Sequence, residues 1–226
     1  MSDTPPLCLL HIGKTGGSYV RSVLRHNRNR WTRPIKLLRH SATLTNTLES
    51  FGDARQLAFT FRCPTARFVS AFYSRRRQGR PTYQYNWSAE EAAAYLWFDT
   101  AEELALALAS RDERLKSAAI FAFDAIEHLK SNLATYLISP EALRMSKPQI
   151  AACVDLPDLD THLPAFMARL GVEAFNLPAK PKRHAAPSPA PALSAEAEAA
   201  LRAHWVEEYA LYETAREIAG ELGLSG

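Results

Sequence analysis

The chain has 226 residues, 47% hydrophobic and 23% charged, with a net charge of +3. That is a globular composition, long enough for a core that needs no disulfide or metal support. No apolar run reaches the roughly 18 residues of a transmembrane helix, and the polar start, Met1 to Pro6, lacks the layout of a signal peptide. Cys8, Cys63 and Cys153 lie far apart, which excludes a CxxC metal pair and argues against a disulfide framework. The expectation is a reduced, cytoplasmic protein of one domain, residues 1–226, with a Pro-rich loop at 177–193.

In chain order, the apolar run 6–12 predicts a buried strand leading into the loop Gly13-Lys14-Thr15-Gly16-Gly17. The following SYVRSVLRHNR puts Val20, Val23 and Leu24 on one helical face. A second apolar run, Ile35–Leu38, precedes His40, and 43–51 predicts a short helix. QLAFTF (56–61) predicts a strand ending at Arg62, and Pro64 suits the first turn of a helix carrying Phe68, Ala71 and Phe72. Helices are predicted at 88–98 and 100–110, with Ser88 and Thr100 as N-caps, and at 112–122 and 124–138. A strand at 149–156, a helix at 158–170 and a final helix at 194–222 complete the chain. Alternating strands and helices predict an α/β fold, with a parallel central sheet of about four to five strands flanked by helices.

Charge is uneven. Residues 1–80 carry 15 Lys or Arg against three acids, and residues 81–226 carry 12 against 21. A basic N-terminal third points to an anionic partner. The loop after the first strand has the parts of an anion cradle: glycines that let the backbone approach, converging N–H groups, a helix dipole, the Lys14 ammonium, and the hydroxyls of Thr15 and Ser18. Gly13-Lys14-Thr15 matches the end of GxxxxGK[ST], but the first glycine of that pattern falls on Cys8. AIFAFD, ending in Asp124, is an apolar run with a terminal aspartate, though its flanks look helical.

HIGKTGGSYVRSVLR resembles the 5′-phosphosulfate loop of carbohydrate sulfotransferases, typically HIPKTGGTS. Residues 62–73, RCPTARFVSAFY, resemble the RDPxxRxxSxYY motif of that family, and LSAEAEAALRAHWVEEYALYE resembles its closing helix. Gly13 stands where the family has proline and Cys63 where it has aspartate. The late Asn-x-Ser is not obvious; Lys180-Pro181-Lys182-Arg183-His184 stands there. The resemblance implies a P-loop NTPase-like sulfotransferase fold and 3′-phosphoadenosine 5′-phosphosulfate as donor, with no metal. It places the 5′-phosphosulfate on Lys14, Thr15, Gly16, Gly17 and Ser18, and the 3′-phosphate on Arg62 and Ser70. Lys182 and Arg183 would close over the nucleotide. Arg67 is expected to be structural or at the rim.

The implied reaction is an in-line displacement that needs positioning and charge stabilisation. Lys14 would stabilise the leaving oxygen, and His40, at a strand's carboxyl end, would be the base, with Glu49 as the other candidate. His11 is expected to pack or to support the loop. The implied acceptor is a hydroxyl of a carbohydrate or glycolipid. The basic, aromatic stretch 75–87 either stacks on a sugar or anchors a loop. An anionic donor accounts for the basic third without nucleic acid. The alternatives are a P-loop-like, ATP-dependent kinase and a non-catalytic nucleotide-binding protein.

Overall fold

The computed structural model describes residues 6–51, 56–81, 83–179 and 190–226. Four strands, β1 (Leu7–Leu9), β2 (Ile35–Leu37), β3 (Gln56–Phe61) and β4 (Ile150–Asp155), form one all-parallel sheet in the order β2-β1-β3-β4. All four carboxyl ends therefore lie on one edge, where ligands of open α/β sheets bind. Contacts divide the chain into a sheet unit (Met1–Arg62, Leu133–His184, Ala210–Gly226) and a helical unit (Cys63–Asn132, Ala185–Tyr209).

In the sheet unit, strand alternation sends side chains to two buried faces, as a sheet covered on both sides requires. Cys8, Leu57, Phe59, Phe61 and Cys153 pack with Leu133 and Leu137 of α8 (Leu133–Leu137) and Leu211, Ala215 and Ile218 of α12 (Val206–Glu221). Leu7, Leu9, Ala58, Ala152 and Val154 pack with Val20, Val23 and Leu24 of α1 (Gly17–His26) and Leu163, Phe166 and Met167 of α10 (Leu159–Arg169). The sheet is thus flanked by helices. α2 (Leu44–Phe51) and α9 (Pro140–Met145) complete this unit.

In the helical unit, α3 (Pro64–Arg76), α4 (Ala89–Trp97), α5 (Ala101–Ala107), α6 (Glu113–Ala125), α7 (Glu127–Lys130) and α11 (Ala195–His204) surround Phe68, Phe72, Phe98, Phe123 and Trp205. Ser88 and Thr100 cap their helices, each in a reciprocal box with the glutamate three residues on. Among the described residues no helix is long and apolar enough to cross a membrane.

Three predicted elements differ. The helix expected over 124–138 is broken at Ile126, between α6 and α7, and again at Ser131, where the buried Arg67 guanidinium takes the carbonyls of Ser131 and His128. The helix expected over 194–222 is two helices that part at Trp205, whose indole meets Phe68 and Phe123 edge-on at 5.8 and 5.1 Å. The first strand spans only Leu7–Leu9 of the predicted 6–12.

The stretch 75–87 anchors a loop. Arg75 is 1% exposed and grips Glu91 at 2.7 and 2.5 Å. It also donates to the carbonyls of Tyr85 and Asn86, while the Trp87 indole donates to the Arg75 carbonyl. Glu91 accepts in addition from the backbone N–H of Glu127 and of Ser88. Burial pushes the Glu91 carboxyl up, but Arg75 and these N–H donors hold it below its ordinary value. Glu91→Ala strands a buried guanidinium and two amides, so we expect a loss of about 3–5 kcal/mol in urea unfolding. The folded pKa is lowered, so this stabilisation is full above the ordinary glutamate value. It fades as pH falls through the lower, folded one.

Candidate anion-binding site

At the end of β1 the Leu10 N–H still bonds Ala58 at 2.9 Å, and then the chain turns away. In the following turn Lys14 has φ 68° and Gly16 φ 86°, both left-handed. Left-handed residues interleaved in a turn bring successive N–H groups to one side, making a concavity for an anion. Gly16 adopts that conformation freely. Lys14 carries a Cβ and pays about 1–2 kcal/mol for it. The neighbouring Thr15 is fully buried and pinned: its hydroxyl bonds the Ile12 carbonyl at 3.0 Å and the Thr60 hydroxyl at 3.0 Å.

Helix α1 starts at Gly17 with Gly16 at its N-cap, which has no side chain to cap the first amides, and no acid lies in its first turn. Those amides and the positive end of the dipole are available to an anion. The space is tight: a Cβ on Gly17 would sit 2.5 Å from the His11 ring, and one on Gly16 would sit 2.6 Å from the Leu156 side chain.

His40 lies on the turn that follows β2, beside this loop. Its ring stacks on His11, centroids 3.7 Å apart and planes 30° from parallel. Arg21, one turn into α1, donates to the Leu38 carbonyl and so ties down the segment that carries His40. The rest of His40 reaches solvent. Loss of water on the stacked face lowers its pKa, and the charges of Arg21 and Lys14 push the same way, against a hydrogen bond with the His11 backbone. The site brings together a loop with two left-handed residues, two cations and an imidazole whose pKa is lowered.

No family model, curated protein or solved structure matches the chain. The site rests on its own geometry.

Of the residues expected to act, Lys14, Gly16, Gly17, Ser18 and His40 come together at the carboxyl edge of the sheet. Thr15 is there too, but its hydroxyl is spent on Ile12 and Thr60, because a buried hydroxyl must find internal partners. Its contribution to an anion is through the main chain. Arg62 follows β3 at that same edge and is half-buried, while Ser70 lies on α3 of the helical unit. Lys182 and Arg183 lie outside the described residues. Glu49 is exposed on α2. Asp124 lies on α6, not at a strand end, so it is no counterpart of a metal-holding strand aspartate. Arg67 is structural, as expected.

Sequence reasoning passed over Arg21, Thr60 and Asp155. The signal for Asp155 was there: IAACVD (150–155) is an apolar run with a terminal aspartate, the pattern looked for at Asp124. Asp155 is 6% exposed at the end of β4; Oδ2 accepts the Tyr212 hydroxyl at 2.7 Å, and Oδ1 has no hydrogen-bond partner. Burial raises its pKa. In the helical unit, a cleft of about 420 Å³ is bordered by Tyr85, Asn86, Trp87, Glu90, Asp124 and Lys130. The Tyr85 ring, 60% exposed, has the Arg75 guanidinium 4.8 Å behind it.

Proposed function

We propose that this chain is a sulfotransferase with a P-loop NTPase-like sulfotransferase fold. It moves a sulfuryl group from 3′-phosphoadenosine 5′-phosphosulfate to a hydroxyl of a carbohydrate or glycolipid. The observation that carries the proposal is the pair of left-handed residues, Lys14 and Gly16, in the loop beside His40. The left-handed turn and the uncapped α1 amides suit a phosphosulfate, and the cations Lys14 and Arg21 suit its charge. The donor supplies the sulfuryl group. His40 takes the proton of the acceptor hydroxyl as its oxygen bonds to sulfur. Lys14 meets the charge that grows on the bridging oxygen as the bond from sulfur to that oxygen breaks. Arg62 is proposed for the 3′-phosphate.

A second reading, an ATP-dependent kinase, draws on Asp155, a buried carboxylate at a strand end with an unpartnered oxygen. The test is calorimetric titration of 3′-phosphoadenosine 5′-phosphate, beside ATP with magnesium, into wild type and Arg62→Ala. The expected result is tight binding of the first ligand alone, weakened about 10- to 100-fold by the substitution, which removes a charge-assisted contact. Preference for ATP with magnesium, lost in Asp155→Asn, moves the kinase reading forward. Nucleotide binding with no turnover of any acceptor, and no effect of His40→Ala, leaves a binding protein.

A further inference from the structure

We propose that His11 is a positioning residue for His40: its ring, in contact with the first glycine of α1 and stacked on the His40 imidazole, sets where that imidazole stands beside the anion loop. The proposal rests on His40 as the base of the reaction proposed above.

Two contacts of one side chain carry it. His11 is 8% exposed, so its ring belongs to the interior of the sheet edge. The Cδ2 edge of the ring lies against Gly17, so close that a Cβ there would meet Cδ2 at 2.5 Å. The ring also stacks on His40 at 3.7 Å. The ring thus touches both the start of α1 and the base. Its backbone adds a hydrogen bond with the His40 side chain. Lys14 from the loop and Arg21 from α1 are the other charged groups that act on His40, and both oppose a second positive charge. Burial of His40 and these two charges lower its pKa, in the direction a base needs. Glycine at 17 is required by the same contact, which makes Gly17 and His11 one steric unit.

The test compares His11→Phe, which keeps a flat ring, with His11→Ala, which removes it. The readouts are proton NMR titration of the His40 imidazole, binding of 3′-phosphoadenosine 5′-phosphate, and kcat and KM. We expect His11→Ala to lose about 10- to 100-fold in kcat, as misplacement of a reacting group does. KM and nucleotide binding should stay near wild type, and the His40 titration should move up toward the ordinary histidine value. His11→Phe should restore most of kcat. Loss of nucleotide binding in His11→Ala would instead make His11 a support of the loop and overturn the proposal. So would an unmoved His40 titration, or a phenylalanine no better than alanine. The titration needs no substrate, so a wild-type protein that transfers no sulfuryl group defeats the proposed function and leaves the His11–His40 coupling separately readable.

Discussion

Lys14→Gly is expected to cut sulfuryl transfer by about 10²–10³, the usual loss when one donor to a developing oxyanion is removed. The fold should hold or gain stability. Lys14 stands at φ 68°, a conformation that favours glycine, so the substitution removes the charge and relieves the backbone together. Lys14→Ala keeps a Cβ and with it the strain, so its melting temperature should lie below that of Lys14→Gly, while both lose turnover. Initial rates at saturating donor, with thermal melts of the three proteins, check this. A glycine variant that turns over like wild type would remove Lys14 from the reaction.

For His40→Gln we expect a loss of about 10²–10⁴ in kcat, the worth of a positioned base. The pH dependence carries the sign. Burial against His11, with Arg21 and Lys14 adding to it, lowers the His40 pKa, which favours the neutral imidazole that takes a proton. The wild-type rate should rise with pH and level off, with its midpoint below the ordinary histidine value of about 6.5. His40→Gln should lose that limb. A midpoint well above 6.5, or a rate that falls as the imidazole is deprotonated, would assign His40 the opposite role of proton donor. Glu49→Gln is the control: Glu49 is exposed on α2 and should leave the profile unchanged.

The candidate anion loop was legible in the residues because its chemistry is local. Glycines, a lysine and two hydroxyls between an apolar run and an amphipathic helix describe a strand, turn and helix with few alternatives. His40 was legible through its place after the second apolar run. What lies between them was not. The stacking of His11 on His40 joins the ends of two different strands, and a sequence carries no sign of which ring faces which. The inward turn of the Thr15 hydroxyl depends likewise on Thr60, on a neighbouring strand. Asp124 and Asp155 show the same limit from the other side. Each ends an apolar run, and packing made one a helical residue and the other a strand end.

By itself the sequence determined the α/β class, the positions of the strands and of the capped helices. Hydrophobic period, glycine and proline punctuation and cap residues act within a few positions of one another. Tertiary structure decided the strand order β2-β1-β3-β4 and breaks in stretches expected to be continuous helix. At Ser131 a buried arginine from α3 claims the carbonyls. At Trp205 an indole enters the aromatic core. In each case contacts with residues distant in sequence gain more from burial or hydrogen bonding than the local helix loses. Helix propensity amounts to only tenths of a kcal/mol per residue, and a packed aromatic or a satisfied buried charge outweighs it.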